Sequence, residues 1–394
     1  MDSHTEATGS TKEVSFLHRE GHRLVLSKRA IAYVAGLGLA LMAFHVSWLP
    51  QQLAILVPQL GVLLIAGAML VYAEKGRKWD RGPWYVWVPM LVIVLSAWAR
   101  LAIDFSLHTA AGAVFLTLMV PLYMMARDVG KSMFRVFAPL VVIEAASIVL
   151  YGATHQWARN GGLLSFTNYD MAAGFLAFGA LLAFGKWQWA IMLTAAVGMV
   201  FTGAPEAAFI LAVLAVAMAV RRDWVRRNAV PLMVAGIVVA ALFVFGPGFH
   251  YATSILGGGR VPLEIGAPGQ VVDYLSDGAD SLENPIGGRL RVIGDAMSRI
   301  GPLGHGLVLT EFTGTTVHNV PLIIIDQIGP LAAMGWLAIT SVCLVKSRWK
   351  YAWVGIVAMG VFDHYTWTMV APWYWALAGA SLTATNSDMV LRRG

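Results

Sequence analysis

The chain has 394 residues, of which 58% are hydrophobic and only 13% charged, with a formal net charge of +6 and a mean hydropathy of +0.67. A soluble domain of this size is about a quarter charged, so the composition excludes a globular core carried on a membrane anchor and points to one integral membrane domain. The basic balance lies in short loops beside apolar runs, which fits attraction to anionic inner-leaflet lipid and not nucleic acid.

Residues 1–29 are polar and carry Lys12, Arg19, Arg23, Lys28 and Arg29. The first apolar run after them is long enough to span and lacks a small-x-small exit, so the reading is an uncleaved cytoplasmic tail. Val14–Ser27 is expected to form a short amphipathic surface helix. Twelve apolar segments follow, at about 30–48, 51–73, 84–103, 107–125, 135–151, 171–185, 187–201, 205–220, 229–245, 319–345, 350–362 and 367–385. Several approach the ~20 residues needed to cross a bilayer. The sixth, seventh, eighth and eleventh are short, and are expected to tilt into the bundle, extend into the loops, or re-enter.

Of the 28 Lys and Arg, only Arg100, Arg159, Arg260, Arg289, Arg291 and Arg299 fall in alternate gaps assigned to the outside. Lys and Arg are retained in cytoplasmic loops because moving them across the membrane is costly. The expected fold is therefore an all-α polytopic membrane protein of about 12 transmembrane helices. It comprises a cytoplasmic tail at 1–29, helices one to nine at 30–245, a large extracytoplasmic loop with a short helix at 246–318, helices ten to twelve at 319–385, and a cytoplasmic tail at 386–394. Both termini are expected inside, in the cell (inner) membrane. Trp48, Trp84, Trp187, Trp189 and Trp373 near helix ends read as interfacial belts. The single cysteine, Cys343, excludes an internal disulfide and any Cys-rich metal site.

Two outside loops are long, His155–Asp170 and Gly246–His318. Irregular backbone cannot face lipid, so these are expected to be aqueous or packed over the bundle. In the second, Gly288–Ile300 reads as a helix, with Leu290, Ile293, Ala296 and Met297 on one face and Gly301-Pro302-Leu303-Gly304 as its stop. No HExxH, Walker loop or usable GxGxxG occurs. The run Asp273, Asp277, Asp280, Glu283 fits no EF-hand spacing and reads as a solvated acidic loop. No metal and no cofactor is expected.

The chemistry concentrates in 288–335. Arg289 and Arg291 lie on the loop helix. His318-Asn319 opens the tenth span, with Pro321 in its first turn. Asp326 lies about 10 Å further down that helix at ~1.5 Å per residue, and Gly329-Pro330 is expected to kink it. Arginine offers phosphate oxygens a planar fork, and histidine, with an ordinary pKa of about 6.5, accepts a proton near neutrality. These residue types suit a phosphorylated, lipid-linked substrate. Each also has a plainer reading: arginines snorkelling to lipid phosphates, a histidine bonded to local backbone, and Asn319 as a helix cap.

The pattern resembles the bacterial O-antigen ligase and O-antigen polymerase group. Arg289, Ala296-Met297, the turn Pro302-Leu303-Gly304-His305-Gly306, and His318-Asn319 followed nine residues on by Gly329-Pro330-Leu331-Ala332 match that group's motifs in order and spacing. Ser165-Phe166-Thr167-Asn168-Tyr169-Asp170 and Asp363-His364-Tyr365-Thr366-Trp367 resemble two further family stretches. The chain departs from the pattern at Ile293 (usually Trp), at Ala332 (usually Gly) and at Thr202-Gly203-Ala204-Pro205-Glu206, where many members carry an Arg.

The resemblance implies a GT-C-type glycosyltransferase. Such an enzyme moves a glycan from an undecaprenyl-pyrophosphate-type carrier to an acceptor hydroxyl on a glycan, lipid or protein, with inversion and without a metal. It implies His318 as catalytic base or acceptor-orienting group and Arg289 as a pyrophosphate contact. Arg291, Arg159, Asn319, Arg100, Asp363 and His364 are the implied substrate-binding residues, with Arg159, Arg100 or Arg291 replacing the missing Arg. The rival readings are a membrane transporter of small anions, for which Glu144 and Asp326 are the clearest deep acids, and a protein O-oligosaccharyltransferase.

Overall fold

The computed structural model describes residues 17–20, 23–44, 49–50, 53, 56–74, 79, 81–154, 162, 169–182, 188–202, 301–306, 320–347, 349–362, 367 and 371–382. The expected eighth and ninth spans, the 246–300 part of the loop with its helix, and both tails beyond these ranges lie outside the described residues.

The described residues are overwhelmingly helical. The helices are α1 (Lys28–Leu41), α2 (Leu56–Glu74), α3 (Trp84–Ile103), α4 (Leu107–Met133), α5 (Phe137–Thr154), α6 (Tyr169–Leu182), α7 (Gln188–Thr202), α8 (Val320–Ile328), α9 (Pro330–Lys346), α10 (Lys350–Phe362) and α11 (Ala371–Ser381). Three helical stretches, Leu56–Glu74, Trp84–Ile103 and Leu107–Tyr151, are long and apolar enough to cross a membrane, each holding an 18-residue segment with a mean hydropathy of 2.0. The chain is a helical membrane protein. The third stretch has 45 residues. Straight, it would run about 67 Å, twice the ~30 Å hydrocarbon core. A single 3-10 turn at Phe134–Val136 interrupts it where Arg135 sits.

One expectation fails at the N-terminus. Within Val14–Ser27 the chain forms a two-stranded antiparallel hairpin, β1 (Leu17–Glu20) and β2 (Arg23–Leu26), with Leu17 opposite Leu26 and Glu20 opposite Arg23. The run Leu24-Val25-Leu26 suits a strand as well as a helix, and the two-residue gap containing Gly21 has hairpin spacing. Ser27 then ends the hairpin and caps α1, its hydroxyl accepting from the Ala30 amide at 3.2 Å.

Between lipid-immersed helices there is little hydrophobic drive, so close backbone approach and specific contacts hold the bundle. The α1–α2 crossing is made by Gly38 and Gly61: a Cβ on either would lie 2.6 Å from the other's carbonyl oxygen. Gly130 and Gly379 let α4 and α11 meet in the same way, against Ala380 and the Tyr123 backbone. The centre is aromatic. Phe178 stacks on Trp373 at 4.9 Å, and Phe134, Phe137 and Phe175 complete the cluster. Such pairs contribute about 0.5–1.5 kcal/mol each beyond burial. Trp373 is therefore core and not belt; it is fully enclosed, and its Nε1 donates to the Leu39 carbonyl at 2.6 Å. Trp84 is exposed, as a belt residue would be.

At one end of the bundle the basic residues are engaged. Lys28 pairs with Asp128, which also accepts from the Tyr72 hydroxyl at 3.0 Å. Arg127 donates to the Leu382 carbonyl at 3.0 Å, capping the end of α11, and Lys346 lies 4.1 Å over the Tyr85 ring. This is the end that the charge bias assigns to the cytoplasm.

Candidate functional site

The opposite end is built around a broken helix. The expected tenth span forms two helices. α8 stops at Ile328, Gly329 takes φ of +88°, and Pro330 starts α9 at a position that needs no amide donor. The expected kink is thus a full interruption. A break leaves carbonyls of the last turn without helical partners, and here the loop supplies them: His305 N–H donates to the Asp326 carbonyl at 2.6 Å and Gly306 N–H to the Gln327 carbonyl at 2.9 Å.

The 301–306 turn reaches those carbonyls because of its glycines. Gly304 has φ of +65° and Gly306 of +115°, conformations that side chains resist. A Cβ on Gly304 would stand 2.6 Å from the Asp326 carbonyl oxygen, and one on Gly306 would stand 3.0 Å from Thr109 Oγ1. The spacing of glycines in Pro302-Leu303-Gly304-His305-Gly306 is therefore the physical requirement for docking a loop on a helix break. Non-helical backbone at this depth is tolerated because it is packed in protein.

Side chains close the arrangement. His305 Nδ1 lies 3.1 Å from Asp326 Oδ1, with the imidazole 35% and the carboxylate 17% exposed. Arg100, near the end of α3, donates from Nη2 to Asp104 Oδ2 at 2.6 Å and to the His305 carbonyl at 3.2 Å. Its Nε is buried with no hydrogen-bond partner among the described residues. Ser106 caps α4 by accepting from the Thr109 amide at 3.1 Å, bringing that helix start beside Gly306. On the far side of the break, Trp367 Nε1 donates to Gln327 Oε1 at 2.9 Å, with both side chains buried.

No family model, curated protein or solved structure matches this chain.

Of the catalytic and substrate-binding residues inferred from the sequence, Arg100 alone lies in the described part. It is fixed: Asp104 offsets its charge and the His305 carbonyl occupies the same amino group. Arg159, Arg289, Arg291, His318, Asn319, Asp363 and His364 lie outside the described residues. Asp326 changes character. It belongs to the loop-docking cluster, its carboxylate beside the His305 imidazole and its carbonyl accepting from the His305 amide. Glu144 is the acid that is enclosed within a spanning stretch, where its carboxylate accepts from the Ser147 hydroxyl at 3.1 Å.

The His305–Asp326 pair escaped sequence reasoning. The two residues are 21 apart, across a turn and a helix, and no periodicity links them. The available signal was local: the only side chain between two turn glycines is an imidazole, and the last acid of the helix precedes a Gly-Pro break.

Proposed function

We propose that the protein transfers a glycan from a polyprenyl-pyrophosphate carrier to an acceptor hydroxyl at the outer face of the cell membrane, in the manner of the O-antigen ligases and polymerases that its motifs resemble. One observation carries the reading. Three stretches with that resemblance, the 302–306 turn, the Gly329-Pro330 break and Trp367 of the 363–367 stretch, meet through direct hydrogen bonds and close packing at one end of the bundle.

In this reading the carrier brings its own leaving group, so no nucleotide site is needed. Arg289, with Arg291 and Arg159, binds the pyrophosphate and stabilises the charge that develops as the anomeric carbon–oxygen bond breaks. His318 orients the acceptor hydroxyl or takes its proton, with Asn319, Asp363 and His364 around the acceptor. Displacement from the opposite face inverts the anomeric centre. Arg100 is a poor pyrophosphate ligand, because Asp104 already offsets its charge; its part is to hold the turn.

An anion transporter is the second reading, favoured by the discontinuous helix, a form that lines substrate sites in many transporters. It is weakened by the scarcity of charge within the described spanning helices, where Glu144 is the enclosed acid and Asp326 is already committed to the loop. Comparing surface glycans of a deletion strain with its parent tests the proposal: shortened chains indicate polymerase, full-length carrier-bound chains indicate a ligase for lipid or protein, and unaltered glycans defeat the transfer reading.

A further inference from the structure

The Arg100–His305–Asp326 cluster has a composition that the pyrophosphate-binding role does not use. It holds one guanidinium against two carboxylates, Asp104 and Asp326, so with a neutral imidazole its formal charge is −1, which is unsuited to an anion. The hydrogen bonds within the cluster define its chemistry. The carboxylate of Asp326 can only accept, so His305 Nδ1 donates to it across 3.1 Å, and the basic lone pair of the ring belongs to Nε2. The backbone of His305 is gripped on both sides, its N–H by the Asp326 carbonyl and its C=O by Arg100. These bonds hold the backbone of the turn in place, and the Nδ1–Oδ1 contact sets the orientation of the ring. The imidazole retains 35% exposure, whereas its carboxylate partner is half as exposed. A histidine held in one tautomer and orientation by a shielded carboxylate, on a turn anchored by its backbone, has the geometry of a general base.

We propose that His305, oriented by Asp326, is a proton-accepting catalytic residue of the outer site. This rests on the glycan-transfer reading and deepens it. The acceptor hydroxyl gives its proton to His305 Nε2 while its oxygen forms a bond to the anomeric carbon. The bond from that carbon to the carrier pyrophosphate breaks, and the electron pair leaves with the pyrophosphate. Asp326 stabilises the imidazolium until it returns its proton to water. His318 then has the orienting share of the work. Arg100 is a positioning residue, which acts by fixing the His305 carbonyl.

The test combines a labelling arm and a kinetic arm on the full-length protein in detergent. Diethylpyrocarbonate modification, resolved peptide by peptide by mass spectrometry, is expected to label His305 in the parent protein. Turnover of a polyprenyl-pyrophosphate-linked glycan is expected to fall about 10²–10⁴-fold in kcat for His305→Gln, with donor KM unchanged. Asp326→Asn should lower kcat less, because the amide can still accept from Nδ1 but cannot stabilise the imidazolium; Asp326→Glu should recover part of the rate. Comparable thermal unfolding of each variant separates chemistry from folding. Failure of His305 to label overturns the proposal whatever the enzyme's activity. Parental kcat in folded His305→Gln overturns it while leaving glycan transfer intact. A parent protein that labels but transfers no glycan overturns the transfer reading, and this assignment with it.

Discussion

Arg100 and His305 are 205 residues apart in the chain, yet the guanidinium Nη2 of one lies 3.2 Å from the backbone carbonyl of the other. That bond attaches the end of α3 to a loop that itself caps a broken helix. Arg100 is only 16% exposed and its hydrogen bond ends on a backbone carbonyl, whereas its ion pair with Asp104 involves a carboxylate that is 64% exposed. Exposed ion pairs contribute little; a hydrogen bond from a charged group contributes about 1.5–3 kcal/mol. Arg100→Ala should therefore destabilise the protein by an amount in that range, and Asp104→Ala by much less. Thermal unfolding of the two variants in the same detergent checks the ordering, and an equal loss in both would show that the ion pair dominates.

The turn's glycines give a sharper expectation. Gly304→Ala forces a side chain into a left-handed backbone, which costs about 1–2 kcal/mol, and brings Cβ to 2.6 Å from the Asp326 carbonyl oxygen. The neighbour is backbone and cannot swing aside. The turn should detach from the helix break, lowering the unfolding temperature and removing transfer activity together. Gly301→Ala is the control: its nearest atom would be 3.8 Å away, so stability and activity should be close to those of the parent. Equal behaviour of the two variants would contradict the docking geometry.

How much of this was legible in the sequence differs between elements. The apolar runs at 84–103 and 350–362 match α3 and α10 to the residue, because hydropathy and flanking turns mark spanning helices directly. A bend at Gly329-Pro330 was legible because proline removes a helical donor, but the full break was not: Pro89 and Pro121 sit inside continuous helices, and it is the positive φ of Gly329 that separates α8 from α9. The N-terminal hairpin was not, since Leu17–Leu26 satisfies both strand and helix patterns over so short a length. Trp373 was misread because hydropathy assigns depth but not azimuth, and only packing against Phe178 distinguishes a core tryptophan from a belt one. The His305–Asp326 pair depends on a loop folding back onto a helix end, a long-range event with no local signature.

Orientation follows from charge asymmetry. The Arg221–Arg227 loop and both termini are expected in the cytoplasm, and the 246–318 loop outside. In a Cys343→Ala background, V225C should react with a membrane-impermeant thiol reagent only after the cells are opened. Labelling of that cysteine in intact cells would invert the topology and move the His305 cluster to the cytoplasmic face.

Arg289 is expected to grip the carrier pyrophosphate. Lysine keeps the charge but not the two parallel donors, so Arg289→Lys should still impair transfer, and Arg289→Ala should cost roughly 2–4 kcal/mol at the transition state. That corresponds to a fall of about thirty- to a thousand-fold in kcat/KM. Parental turnover by Arg289→Ala at equal expression would reduce the residue to an interfacial arginine.

His318 separates the two histidine roles. It precedes α8 by two residues in the sequence, while Asp326 lies near that helix's other end. If His305 takes the proton, His318 has only to hold the hydroxyl. His318→Ala should then abolish measurable transfer while carrier binding persists. His318→Gln, which retains a hydrogen-bonding group, should recover part of the rate, whereas His305→Gln should recover none. The comparison is of kcat for the four proteins, parent, His318→Ala, His318→Gln and His305→Gln, at equal folded concentration. The reverse pattern, rescue by glutamine at 305 and none at 318, would assign the proton to His318 and leave the Asp326 pair as a strut between loop and helix.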